Sequence, residues 1–196
     1  MFSVNVDKLV SMTAEEKGAY SELADKILQQ DENIKTIAIY NGGASSLKIA
    51  GTLCDAGKKV IFADADLSSP VFMNKYKLGK NLMGICDFFT GKESADNIIC
   101  LTDRDNLNIA FTGNTLKRKI SDMDTERFSV LLNIFKEKYD FIIADVAKSA
   151  DYAVMCDAII CFMEESEYSE EKAESEVDAL TEKGGFVLGV VLTTER

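Results

Sequence analysis

"IKTIAIYNGGASSLKIAGTLCDAGKKVIFADADLSSP", residues 34–70, decides the fold. Thr36–Tyr40 is short, rich in β-branched residues and apolar throughout. So is the run from Val60, which ends in Asp64 and Asp66. Between them lie a turn with two glycines and a helix-like run that closes at Gly57. Strand, helix, strand, with each strand a continuous apolar run, is the pattern of a parallel sheet covered on both faces. A glycine turn that opens a helix is also a place where backbone N–H groups can cradle phosphate. Whether this turn does so is the functional question.

The rest of the chain repeats the alternation. "TAEEKGAYSELADKILQQ" (13–30) opens with Thr13 and Glu16 spaced as a capping box, and Tyr20, Leu23 and Ile27 recur at helical spacing. Further strands are expected at 97–101, 107–111, 140–145, 158–163 and 186–192. The run 125–139 places Phe128, Leu131, Leu132 and Phe135 on one helical face. An acidic run, mostly helical, starts at Glu164. The expected architecture is α/β, a doubly wound, mainly parallel sheet in three α/β/α layers. It is a single domain over 1–196, with helix 13–30 before the first strand.

Composition sets limits on function. The chain has 196 residues, 46% hydrophobic and 28% charged, as in an ordinary globule. Its formal net charge is −11, which argues against nucleic acid and against an anionic membrane surface. No apolar run reaches spanning length, so no membrane insertion is expected and the cytoplasm is the expected location. The five cysteines are scattered without a C-x-x-C, and there is no histidine. Zinc sites, redox pairs and Ser-His or Cys-His catalysis are therefore disfavoured.

Ligands of doubly wound sheets sit at the carboxyl ends of the strands. Three such ends stand out: Tyr40 before the glycine turn, the Asp64/Asp66 pair, and Asp145. A P-loop NTPase uses these places for phosphate and for magnesium. Each also has a plainer explanation, since aspartates cap helices and paired glycines make tight turns.

Over roughly residues 16–192 the chain resembles the cytoplasmic domain of bacterial tyrosine kinases of capsule and exopolysaccharide synthesis, within the wider ParA/MinD-like P-loop class. The residues that carry the resemblance are "GAYSELADKIL…IKTIAIY", "AGKKVIFADADLSSP", "GICDFFTGKESADNII", "NLNIAFTGN", "ERFSVLLNIFKEKYDFIIAD" and "VLGVVL", in that order. They are similar to the family's first helix and strand, its Walker A′ strand, a G-L-x-D-x-L-x-G segment, a glycine-ended strand, the Walker B helix and strand, and the last strand.

The departures fall where the family does its chemistry. G-x-x-x-x-G-K-[ST] counted from Gly42 puts Leu47, Lys48 and Ile49 at the glycine, lysine and hydroxyl positions. Counted from Gly43, the second glycine falls on Lys48. Leu47 is expected to intrude where backbone should approach phosphate. Asn41 replaces the signature lysine of the ParA/MinD class, Ser68 and Ser69 stand at the arginines after the second strand, and Glu164 at another. "DVAK" replaces the D-T-P-P after the Walker B strand, and Thr193 an asparagine that reads the base. Ser21 and Ala24 stand where the first helix carries its arginines, and no tyrosine cluster follows the last strand before Arg196.

The reading drawn from this is a degenerate P-loop protein without nucleotide turnover, an interaction or regulatory module linked to capsule or exopolysaccharide synthesis. Its partner would be a protein, either a membrane polysaccharide-export component or an active relative, and no cofactor is expected. Two alternatives stay open. One is an active ATP-dependent tyrosine autokinase. There Asp64, Asp66 and Asp145 would carry catalysis, Asp64 and Asp145 would hold magnesium, and Gly42, Gly43, Ser45, Ser46 and Lys48 would hold the phosphates of Mg·ATP. The other is an ATP- or GTP-binding switch without kinase activity. The isolated chain is expected to be a monomer or weak dimer, with the acidic face 164–176 turned to a basic partner.

Overall fold

The computed structural model describes residues 3–67, 83–113 and 125–194. Ser68 and Ser69 lie outside them. The elements run β1 (Ser3–Val4), α1 (Ala14–Leu28), β2 (Thr36–Tyr40), α2 (Ala44–Asp55), β3 (Val60–Asp64), α3 (Ile85–Phe89), β4 (Ile99–Thr102), β5 (Leu107–Ala110), α4 (Thr125–Lys136), β6 (Phe141–Asp145), α5 (Ala150–Ala153), β7 (Ala158–Glu164), α6 (Glu170–Glu182) and β8 (Val187–Thr193). A single 3-10 turn, Glu165–Glu167, joins β7 to α6.

The strands form one eight-stranded sheet in the order β1-β4-β5-β3-β6-β2-β7-β8. Every pairing is parallel except β4 with β5. The doubly wound, mainly parallel architecture expected from the apolar runs is therefore present. One element differs from expectation: the two-residue β1 precedes α1, so the helix does not come before the first strand. Two residues pairing with Leu101 and Thr102 at the sheet margin leave no periodicity to read.

Helices cover both faces, which is why the central strands carry no polar alternation. On one face α1 and α2 bring Ala24, Ile27, Leu47, Ala50 and Leu53 onto Ile37, Ile39, Phe62, Ile143 and Phe162. On the other, Phe88 of α3, Phe128, Leu132 and Phe135 of α4, Tyr152 of α5 and Leu180 of α6 pack over Ile61, Ala63, Ile142, Ala144 and Cys161. The helix starts follow local chemistry. Thr13 Oγ1 accepts the Glu16 N–H at 3.2 Å while Glu16 accepts the Thr13 N–H at 2.8 Å, closing the capping box that opens α1.

The segment "GICDFFTG" has a structural reason for its residues. Gly84 lies so close to the main chain of Phe111 and Gly113 that a β-carbon would collide with both. Asp87 accepts the Gly84 N–H at 2.9 Å, and Ile85 and Cys86 donate to the carbonyls of Phe111 and Thr112 at 2.8 and 3.0 Å. This crossing pins the chain after β5, and with it Thr112, beside the end of β3.

Candidate functional site

Parallel pairing brings the strand ends together. Asp64 and Asp145 are direct register partners across β3 and β6, and Asp145 is also the partner of Ile39, one residue before the end of β2. The glycine turn and both aspartates thus share one end of the sheet, where such folds bind ligands.

The turn is short. β2 ends at Tyr40 and α2 begins at Ala44, so Asn41, Gly42 and Gly43 are the whole connection. Asn41 takes a left-handed φ of 63° and Gly43 one of 52°. Asn41 is fastened at both ends. Its N–H donates to the Ala147 carbonyl at 2.6 Å and its Nδ2 to the Phe162 carbonyl at 3.0 Å, tying the turn to the loop after β6 and to β7. Gly42 is glycine for want of space: a β-carbon would strike the Ile39 side chain and come within 2.8 Å of Ser46 Oγ.

The turn's cation is directed away. Lys48 Nζ lies 2.6 Å from Glu16 Oε1 and 5.8 Å from the centre of the Tyr20 ring, both on α1. That bond, with the Thr13 N–H second, pulls the Glu16 carboxyl down to about 2. Ser45 also faces α1, where its hydroxyl meets the Tyr20 phenol. Leu47, expected to intrude on a phosphate, is instead fully buried in the core between α2 and the sheet, as is Ile49 beside it. Helix geometry explains this: positions 46, 47, 49 and 50 of α2 point inward, while 45 and 48 point to α1.

The carboxyls are buried with little compensation. Asp64 is 0% and Asp145 1% exposed. No hydrogen bond of full geometry reaches either oxygen of Asp64 among the described residues, although the hydroxyl and N–H of Thr112 lie near enough to favour its ionised form; Oδ2 of Asp145 and the hydroxyl of Ser46 also lack a partner there. Asp145 Oδ1 accepts the Ala147 N–H at 3.2 Å, an N–H that Ala147 presents from a left-handed φ of 49°. Ser46 lies near enough to Asp145 to favour its ionised form slightly, without the alignment that completes a hydrogen bond. No lysine or arginine among the described residues forms an ion pair with either aspartate. Burial, with Asp66 adding to it, pushes Asp64 up to about 7. Burial, with Asp64 as the next cause, pushes Asp145 up to about 8. At neutral pH this pair retains protons that exposed aspartates would have lost.

Of the residues singled out from the sequence, the fold gathers Gly42, Ser46, Asp64, Asp66 and Asp145, and it separates Lys48 and Ser45 from them. Sequence reading passed over two contributors. Thr112 is fully buried, and its hydroxyl donates to the Asp64 carbonyl at 2.9 Å; a hydroxyl just past the end of β5 was the available signal. The backbone of Ala147 had none, because nothing in the residue type announces a positive φ.

Tested against Mg·ATP, this set fits in part. Carboxylate and hydroxyl oxygens suit magnesium, but magnesium is ordinarily held by one or two carboxylates together with substrate phosphates. Phosphates need a loop that wraps them and a cation, and the turn offers three residues and a lysine engaged elsewhere. No group of three or more acidic, Cys or His side chains suited to a metal ion occurs among the described residues.

No family model matches the chain. It is 24% identical over 185 residues to the tyrosine-protein kinase CpsD of Streptococcus pneumoniae serotype 4, covering 88% of this chain and 82% of that one. The VpsO kinase domain superposes with a TM-score of 0.79 at 18% identity, covering 93% of this chain and 97% of that one. The septum site-determining protein MinD of Pyrococcus horikoshii, solved with Mg-ADP, superposes with a TM-score of 0.63 at 21% identity, over 81% and 69%. No described helix is long and apolar enough to cross a membrane. By sequence the chain is a relative of the bacterial tyrosine kinases of capsule synthesis, and by fold it stands with the MinD-like P-loop proteins.

Proposed function

We propose that this chain keeps the fold of its kinase relatives without their nucleotide turnover, and that it works by binding a protein in capsule or exopolysaccharide synthesis. The observation that carries the proposal is the three-residue turn, closed on both sides by Asn41 and stripped of its cation by the Lys48–Glu16 pair. A nucleoside triphosphate placed at this end of the sheet would meet Asp64 and Asp145 with no described lysine or arginine paired to either, and its negative charge would have to keep both carboxyls protonated or be repelled by them once ionised. An unwrapped phosphate also lacks the charge-assisted N–H bonds that make such sites tight. That a partner belongs to polysaccharide synthesis rests on the names of the relatives alone.

One observation favours a second reading. The buried, unpartnered oxygens of Ser46, Asp64 and Asp145 are expensive to leave empty-handed, and an ion would satisfy them. In that reading the chain is an ATP-dependent tyrosine kinase, or an ATP- or GTP-binding switch, with Asp64 and Asp145 holding magnesium. The two separate on incubation of the purified chain with Mg²⁺ and ATP labelled at the γ-phosphate. No label on any of the six tyrosines and no phosphate release above buffer is expected. Labelled tyrosine that disappears in Asp64→Asn would establish the second reading.

A further inference from the structure

On the β8 side the sheet ends in a strand whose outer edge no described strand pairs with, its register with β7 slipping by one residue between Val187 and Gly189. β8 pairs only with β7, so the outer backbone groups of Val187–Thr193 have no strand partner among the described residues. Its sequence, "VLGVVLT", carries none of the charges or prolines that ordinarily blunt an edge. Leu192 stands 45% exposed on it, and Phe186 just before it 55%.

Beside this edge runs a groove of about 400 Å³ between α6 and β8. Ala173, Val177, Val190 and Leu192 form its apolar lining, with Tyr168 also in its wall. Glu170, Glu174 and Asp178 line it as well, four residues apart, and so make one stripe along α6. None of the three forms an ion pair among the described residues. The neighbouring lysines are engaged elsewhere: Lys172 with Glu167 at 2.9 Å and Lys183 with Asp151 at 2.8 Å.

An open strand edge, an apolar groove and an unneutralised acidic stripe lie side by side, and the geometry points to one occupant: a basic, extended segment of a partner protein that adds a strand to β8. Its backbone would pair with Val187–Thr193. Every second side chain would face α6: these would be its lysines or arginines, with their aliphatic stems over Val190 and Leu192 and their charged ends at Glu170, Glu174 and Asp178, while the side chains between them turn to the opposite face of the sheet. A second copy of this chain is disfavoured as occupant. It would bring two acidic stripes together on molecules that each carry a net charge of −11. The inference deepens the reading of the chain as a partner-binding module and names the chemistry of the partner.

The test uses the whole chain and a fluorescein-labelled seven-residue peptide of alternating lysine and valine, followed by fluorescence anisotropy. The controls are an alternating glutamate–valine peptide and the basic peptide N-methylated at alternate backbone amides. The basic peptide should bind, and the acidic one should bind at least about tenfold more weakly. Exchanging Glu170→Gln, Glu174→Gln and Asp178→Asn together should weaken the basic peptide about tenfold, the sum of three exposed charge pairs. Raising salt from about 0.05 to about 0.3 M should weaken it severalfold. Leu192→Lys, at an exposed position that tolerates it, and backbone N-methylation should each abolish binding. Binding by the acidic peptide as tight as by the basic one, or indifference to the triple exchange or to N-methylation, overturns the proposal. So does a sedimenting dimer that Leu192→Lys dissolves, which would assign the edge to a second copy. Failure here leaves the nucleotide test untouched, and ATP turnover would defeat the wider reading whatever the peptide does.

Discussion

Two regions meet at the carboxyl end of this sheet, and they differ in what they have kept. The ends of β3 and β6 hold Asp64 and Asp145 opposite one another, both fully buried and only partly hydrogen-bonded. The turn after β2, next to them, has its Asn41 side chain and its nearest lysine tied down. Asn41 is bonded to the Ala147 and Phe162 carbonyls, and Lys48 to Glu16. The strand-end carboxyls have no ion-pair partner among the described residues, while the lysine nearest the turn is held in the packing of α1. The difference lies in how each region is set: the turn by hydrogen bonds to neighbouring loops and strands, the carboxyls chiefly by burial.

If the turn is a locked element and not a pliable remnant, Gly42→Ala should carry the largest cost. The added methyl has no space between the buried Ile39 side chain and Ser46, and about 2–3 kcal/mol of stability should be lost. Urea unfolding measures it, and a loss below about 0.5 kcal/mol would mean the turn yields.

The aspartate pair should show the opposite sign. Asp145 holds its proton to about 8 in the folded chain and Asp64 to about 7, against an ordinary 3.8 for each. A raised carboxyl stabilises the fold fully below 3.8, and that stability is lost as pH climbs through 7 and 8, because the unfolded chain releases its protons first. Asp145→Asn keeps an acceptor for the Ala147 N–H and cannot ionise. It should therefore raise stability by about 2 kcal/mol at alkaline pH, do little near pH 4, and flatten the curve between. Denaturant melts of both proteins across that range decide it, and unchanged pH dependence in the variant would show the aspartate already ionised in the fold.

Lys48→Ala should have the smallest effect. The pair with Glu16 is half-buried at the surface, so its loss should cost no more than about 1 kcal/mol and should fade with salt. Glu16 is held down to about 2, so whatever the pair contributes is present above the ordinary 4.5 and vanishes as pH falls toward 2. The informative readout is ligand binding. If Lys48→Ala changes the response to ATP, the lysine leaves Glu16 for phosphate and the two regions are one site after all.

The fold was largely legible because continuous apolar strands such as "TIAIY" and "FIIAD" admit few architectures, and the Thr13/Glu16 spacing announced α1. The aspartates were legible as strand ends, since parallel order alone places them together. The fate of the turn was only half legible. Counting from Gly42 shows that Leu47 cannot be the required glycine, but it places that leucine against phosphate, whereas it packs on the sheet. That difference depends on where α2 begins. A helix starting at Ala44 turns positions 47 and 49 inward and 48 toward α1. Thr112, and Ala147 with its positive φ, belong to contacts between segments far apart in the chain, which local pattern does not encode.

The central claim is that no phosphate-gripping site exists here, and titration calorimetry of the whole chain with Mg·ATP and with Mg·ADP tests it most directly. The account expects no saturable heat with either ligand up to about 1 mM, the concentration at which a site worth about 4 kcal/mol would be half filled. Saturable binding in the micromolar range, abolished in Asp64→Asn or Asp145→Asn, would contradict it.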